Sequence, residues 1–598
     1  MDALRTTFER QLTEALPGVD IVLERPKSGE LGDLAFPCFR AAKALGTNPV
    51  QLSKELAGKL AVPGAELVAA GPYLNLKLRP EARAQAVLSA ILEAQDRPYG
   101  ARPSNGKKVI VEYSSPNIAK LFTIGHLRST MIGHALAQTH RYLGYDVVRL
   151  NHLGDWGTQF GTLLAAYTRW AQAENPDLER DFDWAEPAPE KRRTPLFRLF
   201  QLYVRFHAEE EQDPAMRDEA RGWFQRLEAG DAEARRLWSW FREISLREFQ
   251  RIYDRLGVSF DTLAQGEAFY EDRLAATLKR LEDAGLLTEG DRGARIVDLE
   301  DVGIATPCLV QKADGTSIYA TRDLAAALYR QEAYGFDRCL YVVGTDQVLH
   351  FQQVFAVLEK LDPWFKGRML HTPFGMVKLP EGKMSTRKGN VIFLEDVLDE
   401  ARERVAAIIE EKNPELAGKE AVAELLGMGA VVFFDAMNDR VKPITFTWDR
   451  VIALDGDTGP YVQYAHARIL SVLRKAGGDW AAKAQPGSPD GPFLPFTAQP
   501  VPADLTGLEA PEAQALLFEL AGFPGSVNAV ADGCMATPLA RQLVSLARSF
   551  SGFYTNCPIL APENAPAVRE ARLALCVATA RILRQGLFLM GIQAPEEM

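Results

Sequence analysis

An apolar segment, a glycine–histidine pair and a long amphipathic stretch follow one another early in this chain and constrain its fold strongly. Residues 107–113 (KKVIVEY) are typical of a buried strand, and residues from about 125 to 143 predict a helix. The first amides of such a helix can bind phosphate, because they carry the positive end of the helix dipole. Gly125 lets an adenine ring approach the backbone, and His126 can donate a hydrogen bond to phosphate oxygens. The pattern predicts a nucleotide site.

Strand and helix patterns alternate beyond this point and predict a parallel sheet of the α/β class. Further strands are expected at residues 146–151, near 257–260 and at 338–343. Asp314 and Gly315 predict a hairpin turn. Ligands of open parallel sheets bind at the carboxyl ends of the strands, so that edge is where we expect the site.

A chain of 598 residues is too long for one core, and about three or four domains are expected. The N-terminal part predicts a small α+β module with helices at 2–16, 36–45 and 49–60 and a strand at 73–78, followed by a linker at 97–106. The predicted units are a module at 1–100, a sheet domain at 107–395 with a helical insertion at about 160–255, and an all-helical domain at 396–598.

The composition, with 47% hydrophobic and 25% charged residues, is that of a soluble globular protein. No membrane-spanning apolar run and no signal-peptide core are apparent, so a cytoplasmic location is expected. The six cysteines are scattered without a Cys-x-x-Cys pair, which favours buried free thiols over structural zinc or disulfides. A net charge of −11 argues mildly against a nucleic-acid partner, although binding depends on local patches such as 191–193 and 387–388.

A basic motif lies far downstream at residues 382–390 (GKMSTRKGN). Such a stretch is commonly a solvated loop, but a cationic loop also stabilises a triphosphate as charge moves onto departing pyrophosphate. Together with residues 123–126 (TIGH), about 260 residues upstream, it resembles the KMSKS and HIGH signatures of class I aminoacyl-tRNA synthetases. That resemblance implies a Rossmann-type catalytic domain.

Longer motifs make the chain similar to arginyl-tRNA synthetases in particular. They keep the family's order and run from the N-terminal module to the last residue. The resembling segments are 112–120 (EYSSPNIAK), 125–130 (GHLRST), 154–161 (GDWGTQFG), 314–323 (DGTSIYATRD), 341–347 (YVVGTDQ) and 459–468 (GPYVQYAHAR).

The resemblance implies an arginine pocket, which suits a guanidinium because that group offers five donors and no acceptor. Asp323 and Tyr319 would hold the guanidinium, with Gln347 lining the pocket. Glu112 and Asn117 would hold the α-amino and carbonyl ends. On local grounds Asp323 could equally be a helix N-cap or first-turn acid, and Gln347 an ordinary helix-start residue.

For the nucleotide, the resemblance implies ATP with Mg²⁺ and no covalent enzyme intermediate. Two positions depart from the signatures, namely Thr123 for the first histidine of HIGH and Thr386 for the second lysine of KMSKS. We hypothesise that Lys120, Lys383 and His126 together stabilise the charge on the phosphates. The implied ATP-binding residues are Thr123, Gly125, His126, Lys383, Met384, Ser385 and Arg387.

The resemblance also implies tRNA(Arg) as a partner, no obligate protein partner, a monomer, and adenylate formation that needs bound tRNA. Tyr73 and Asn75 would read a base of the tRNA D-loop, although Tyr73 could instead pack under its own strand. Tyr554 and Met598 are candidate anticodon contacts, but Thr555 stands where the family pattern has asparagine.

Three other readings remain. A cysteinyl enzyme of the same class predicts zinc-ligand cysteines, which the sequence lacks. A synthetase-like protein that binds tRNA or arginine without catalysis is favoured only by Thr123 and Thr386. A small nucleotidyltransferase would not need the long helical C-terminal part.

Overall fold

The structure is a computed structural model and describes residues 2–94, 97–171, 194–315, 318–378 and 393–598. The N-terminal module is a three-stranded antiparallel sheet in the order β1-β3-β2 with helices packed on it. Its third helix begins where the Asn48 side chain accepts hydrogen bonds from two backbone amides, the usual N-cap arrangement. Its elements are α1 (Asp2–Ala15), β1 (Leu34–Pro37), α2 (Phe39–Leu45), α3 (Pro49–Lys59), β2 (Ala65–Ala70), β3 (Tyr73–Leu78) and α4 (Pro80–Leu92).

The central sheet has four strands, all parallel, in the order β10-β9-β4-β5. Val109, Ile110 and Val111 of its inner strand are fully buried, which fits a strand covered on both faces. The strands and the helices that connect them are β4 (Lys108–Glu112), α5 (Ile124–Tyr142), β5 (Asp146–Leu150), and later β9 (Arg338–Tyr341) and β10 (Met369–His371).

Helices fill the described part of 160–255, as the sequence predicts: α6 (Thr158–Ala166), a π-helical turn (Tyr167–Ala171), α7 (Pro195–Glu210), α8 (Ala215–Glu228) and α9 (Ala232–Leu256). A small antiparallel sheet and two helices then lead back to β9 of the central sheet, and a third helix connects β9 to β10. These elements are α10 (Leu274–Asp283), β6 (Leu287–Glu289), β7 (Arg295–Val297), β8 (Cys308–Gln311), α11 (Tyr319–Tyr334) and α12 (Val348–Leu361).

The C-terminal part is helical apart from one strand of two residues. That strand, β12 (Ile444–Thr445), pairs in parallel with β11 (Val377–Lys378), which precedes the basic motif. The helices are α13 (Leu394–Lys412), α14 (Lys419–Met437), α15 (Trp448–Val451), α16 (Gly459–Ala476), α17 (Trp480–Lys483), α18 (Pro511–Gly533), α19 (Thr537–Asn556) and α20 (Pro566–Leu589).

Helix α5 joins the sheet to the helical part, and nearly all of its residues are buried. A Cβ atom at Gly133 would lie 2.1 Å from Cβ of Tyr113, so only glycine lets the helix pack this closely. On the other side, Nε of Arg128 donates to Asp435 of α14 over 2.6 Å, and both side chains are buried. Arg128 also donates to the carbonyl oxygens of Gly375 and Lys442, so it ties α5 to the segments that lead into β11 and β12.

Four sequence predictions about elements are wrong. Phe36 lies in β1 rather than in a helix. Residues 257–260 form no named strand: Gly257 ends α9 in the left-handed conformation, and the following segment meets the sheet only at the bridge between Leu150 and Thr262. Asp314 and Gly315 connect β8 to α11 rather than to a second strand, and β12 interrupts the predicted all-helical part.

The predicted thiols are confirmed, since all six cysteines are buried and free. Burial raises the pKa of the Cys38 thiol to about 11, and that of Cys308 and Cys339 to about 12. These groups therefore stay protonated and unreactive near neutral pH. Among the helices described, none is long and apolar enough to cross a bilayer.

Candidate active site

A cleft of about 640 Å³ opens at the carboxyl ends of β4, β5 and β9, the edge that the sequence predicts. The loop that follows β4 forms one wall, and its backbone is strained: Ser114, Ser115 and Ala119 all have positive φ angles. Such conformations persist only where neighbours hold them. Here Ser129 accepts from the Ser114 amide, Asn151 from the Ser115 amide and Ser245 from the Ala119 amide.

The phosphate end of the cleft is the start of α5. Thr123 is the N-cap, and its backbone N–H donates to Nδ1 of His126 over 3.0 Å. Burial lowers the pKa of His126 to about 4, and the charge of Lys120 acts in the same direction. The imidazole is therefore neutral near pH 7, and because Nδ1 accepts, its proton lies on Nε2. That N–H and the free amides of α5 form a donor set for phosphate.

Two carboxylates lie together at the other end of the cleft. Helix α11 begins at Tyr319, so Asp323 follows one turn later on the same face, which is the geometry that the sequence requires. Glu267 lies nearby and lines the cleft as well. Burial and, to a smaller extent, the charge of Asp323 raise the pKa of Glu267 to about 8. Because the charge of Asp323 disfavours that of Glu267, a cation bound between the two carboxylates would stabilise the ionised form of Glu267.

The other side chains at this end of the cleft lie at the starts of helices α11 and α12. His350 donates from Nε2 to Oδ2 of Asp323 over 2.5 Å and so fixes the position of that carboxylate. Gln347 is the residue directly before α12, and it lines the cleft. Arg322 lines it too, but its guanidinium donates to Glu271. Asp323 is neither the N-cap of α11 nor in its first turn, so the alternative reading of that residue is wrong.

Between the two ends lie Glu112, the last residue of β4, and Asn117. Glu112 is buried against Arg330 of α11, with Oε2 and Nη2 2.5 Å apart. Asn117 forms a parallel bridge with Gly154, where a Cβ atom would lie 1.8 Å from Oδ1 of Asn117. Gly154 therefore leaves room for the amide of Asn117.

The predicted residues of the basic motif, Lys383, Met384, Ser385 and Arg387, lie outside the described residues. Both flanks of the motif, however, are at the cleft. Met376, before β11, lines it. Phe393, directly after the motif region, forms a bridge with Thr123, and the amide of Leu394 donates to the carbonyl of Phe122 over 2.9 Å.

Lys120 lies in a second cavity of about 540 Å³ that shares Asn117 and Tyr319 with the cleft. Its ammonium group stands 5.5 Å from the ring centroid of Tyr203. The cavity runs under the helical insertion, and its remaining lining includes the N-terminus of α6 and a group of ionisable side chains: Thr158, Gln159, His207, Glu210, Arg217 and Arg221.

None of the four predicted tRNA-binding residues lines the cleft. Tyr73 is half-buried against Phe39, with ring centroids 5.6 Å apart, and Asn75 is buried at 5% exposure. Tyr554 is exposed, with the Arg468 guanidinium 5.4 Å from its ring. Met598 packs on α13 and α14, and its carbonyl oxygen accepts from the Asn413 side chain.

Family models match almost the whole chain. The model for tRNA synthetases class I (R), catalytic domain, matches residues 87–448, the arginyl tRNA synthetase N-terminal domain matches 2–78, and the DALR anticodon binding domain matches 462–598. A curated relative from Clostridium perfringens, "Arginine--tRNA ligase", is 43% identical over 584 residues, covering 98% of this chain and 97% of its own. The chain belongs to the arginyl-tRNA synthetase family.

Further relatives agree. An "Arginine--tRNA ligase" from Streptococcus equi is 44% identical over 579 residues, which cover 96% of both chains. The arginyl-tRNA synthetase structure from Thermus thermophilus matches over the full length of both chains with 26% identity and a TM-score of 0.79. The family carries a class I synthetase domain and an anticodon-binding domain, so this member is an ATP-dependent ligase of translation.

Sequence reasoning missed two side chains that line the cleft, Glu267 and His350, and one that is buried behind it, Arg330. Glu267 stands in a short segment after the helical insertion and belongs to none of the motifs. His350 follows Gln347 by three residues, a spacing that on a helix start would have suggested a shared face. Arg330 is seven residues after Asp323 on α11, and only the fold reveals that it meets Glu112.

Proposed function

We propose that the cleft is where this arginine–tRNA ligase forms arginyl-adenylate, with the amino acid between the two acids and the turn before α5. The arrangement of Glu267 and Asp323 carries the proposal, because a pair of half-buried acids at one end of a nucleotide cleft suits a guanidinium. Near α5, the arginine carboxylate attacks the α-phosphate of ATP and pyrophosphate leaves. The terminal ribose hydroxyl of tRNA then attacks the carbonyl carbon and AMP leaves.

At the guanidinium end, the carboxylates of Asp323 and Glu267 would accept the forked N–H groups, helped by Tyr319 and Gln347. His350 holds Asp323 in place. Lysine has a single donor head and leaves acceptors of the pair unmatched, which is costly when those acceptors are buried. This end therefore supplies the amino-acid specificity.

At the other end of the amino acid, Glu112 would bind the α-ammonium group and Asn117 the carbonyl side. Arg330 holds Glu112 in place, because a buried carboxylate needs a partner. These two residues would place the substrate carboxylate near α5, and such positioning is a main source of rate when no covalent intermediate forms.

ATP, as its Mg²⁺ complex, would bind over Thr123, Gly125 and His126. The Nε2–H of His126 and the first amides of α5 are donors that stabilise charge on the phosphate as the bond forms. Lys120 and the motif residues Lys383, Met384, Ser385 and Arg387 are proposed to act on the departing pyrophosphate. Because β11 and Phe393 bring both flanks of that motif to the cleft, its placement there fits the chain path.

The second cavity is our candidate for the 3′ end of tRNA. It adjoins the cleft through Asn117 and Tyr319, and its lining holds Lys120, Arg217 and Arg221, which suit a phosphodiester chain. The tRNA body is proposed to contact Tyr73 and Asn75 on the N-terminal module, and Tyr554 and Met598 on the anticodon side. Since Asn75 is buried, this contact requires a local shift of its strand.

We propose the domain limits 1–100, 107–395 and 396–598, with the insertion at about 160–255. We also propose a monomer without an obligate protein partner, in the cytoplasm, where free buried thiols are stable. The proposal for the cleft is tested with Asp323→Asn, which keeps the shape and removes the charge. The KM for arginine should rise at least about tenfold, with the KM for ATP changed less than about twofold. An unchanged KM for arginine would overturn the assignment.

A further inference from the structure

A five-residue turn, Leu153 to Gly157, lies directly between the two ends of the proposed arginine pocket. On one side it holds the loop of Asn117. The Gly154 carbonyl accepts from the amide of Ile118 and the Gly154 amide donates to the carbonyl of Pro116, both over 3.1 Å. Together with the bridge to Asn117, these bonds fix the part of the pocket that takes the carbonyl side of the amino acid.

On its other side the same turn holds Glu267. The amide of Glu267 donates to the Leu153 carbonyl over 2.9 Å, and the amide of Ala268 donates to Oδ1 of Asp155 over 2.8 Å. A Cβ atom at Gly266 would lie 2.6 Å from that Oδ1, so the segment approaches Asp155 as closely as its backbone allows. The backbone N–H of Trp156 also favours the charged form of the Glu267 carboxylate.

Helix α9 supports the turn from outside the cleft. Asp155 is 1% exposed, and its Oδ2 accepts from Nε of Arg242 over 3.1 Å. The indole N–H of Trp238 donates to the Asp155 carbonyl over 2.8 Å. Neither of these α9 side chains lines the cleft. Asp155 therefore connects helix α9, outside the cleft, to the segment that carries Glu267.

We infer that the Leu153–Gly157 turn sets the length of the pocket, and that Asp155 is the positioning residue through which it selects a side chain of arginine's length. Both ends of the substrate are gripped by segments bonded to the same five residues, so their separation is not free to vary. An amino acid one methylene longer or shorter would leave one of its polar ends unmatched. The inference rests on the proposed placement of arginine between Asn117 and Glu267.

The test compares arginine with homoarginine, one methylene longer, and with 2-amino-4-guanidinobutanoate, one methylene shorter. Arg242→Met removes the support of Asp155 from outside the cleft. Arg247→Met on the same helix is the matched control, since Arg247 is partly exposed and pairs with Glu243. Aminoacylation kcat/KM is measured for all three amino acids with each variant of the full chain.

Wild-type protein should prefer arginine over either analogue by at least about tenfold, the discrimination that one methylene commonly gives. Arg242→Met should lower that preference about fivefold or more, mainly through a higher KM for arginine, while Arg247→Met keeps the wild-type ratio. An equal loss of kcat/KM for all three amino acids would show a merely structural role and overturn the inference, as would an unchanged ratio.

Asp155→Asn provides a second variant if Arg242→Met fails to fold, because the amide can still accept from Ala268 but loses its charge towards Arg242. Its expected result is the same drop in preference. Glu267→Gln distinguishes a failure of the proposed arginine pocket from a failure of the length selection. If it leaves the KM for arginine unchanged, the proposed pocket is wrong; if it raises that KM while both turn variants keep the wild-type preference, only the length selection is wrong.

Discussion

The backbone N–H of Thr123 lies 3.0 Å from Nδ1 of His126 and decides which imidazole nitrogen can serve the phosphate. With Nδ1 occupied as an acceptor, the neutral ring presents Nε2–H. The N-cap threonine that replaces the first histidine of the signature therefore has a structural role of its own. It holds the second histidine as a neutral donor without giving up the helix cap.

Substitution of His126 by the two amides tests this assignment. The amide nitrogen of glutamine reaches the position of Nε2, whereas that of asparagine is closer to Nδ1. His126→Gln should keep more of the ATP–pyrophosphate exchange rate than His126→Asn, which should lose about 100-fold or more, the usual effect of losing one such donor. Higher activity in His126→Asn would mean that Nδ1, not Nε2, faces the phosphate.

Arginine binding should depend on pH through Glu267, whose pKa of about 8 lies near the working range. Only the ionised carboxylate attracts the guanidinium, so the acid must lose its proton when arginine binds. As the pH falls below about 8, the KM for arginine should rise, by at most about tenfold per unit.

The measurement is the KM for arginine and for ATP between about pH 6 and pH 9, where His126 remains neutral. Glu267→Gln serves as the control, since it should bind arginine weakly and with little pH dependence. If the KM for arginine does not change with pH in the wild type, the predicted titration of Glu267 is wrong. If the KM changes with pH equally in Glu267→Gln, a different group is responsible for the pH dependence.

Lys120 is predicted to assist pyrophosphate departure. Its charge lowers the pKa of His126, so the ammonium group lies near the phosphate end. Lys120→Ala should slow adenylate formation about 100-fold, and Lys120→Arg should restore part of the rate. Lys279→Ala, at an exposed lysine paired with Asp283, is the control. Adenylate formation at the wild-type rate in Lys120→Ala would leave this work to the basic motif alone.

Arg128→Met should destabilise the protein strongly, because it leaves the Asp435 carboxylate buried without its cation. Burial already raises the pKa of Asp435, and Arg128 opposes that effect. Loss of one partner from a buried pair costs about 3–5 kcal/mol of unfolding free energy. Arg548→Met breaks an exposed pair with Asp457 and should cost below about 1 kcal/mol. Denaturant unfolding of both variants measures the difference, and equal midpoints would contradict it.

Much of the fold could be predicted because its signals are local. The apolar run of β4 and the alternation in β3 have one reasonable interpretation each, and the structure places them within a residue of the prediction. Gly257 shows where prediction from local sequence signals fails. A glycine before an apolar pair fits a strand start as well as a helix C-cap, and only the packing of α9 decides for the cap.

The residues of the cleft likewise fall into those that the sequence could reveal and those that it could not. Tyr319 and Asp323 belong to one motif, so their spacing could be tested against a helix before the structure was seen. Glu267 could not be found like this, because it reaches the cleft through hydrogen bonds to the Leu153–Gly157 turn, over 100 residues earlier in the chain. Contacts of that kind leave no periodic signal in a sequence.

The most direct test of the account is ATP–pyrophosphate exchange with each of the twenty amino acids, with and without total tRNA. Exchange with arginine and no other amino acid is predicted, and only when tRNA is present. Exchange with arginine in the absence of tRNA would keep the pocket and remove the tRNA requirement. Exchange with a different amino acid, or none at all despite tRNA binding, would contradict the assignment of the cleft as the site of arginyl-adenylate formation.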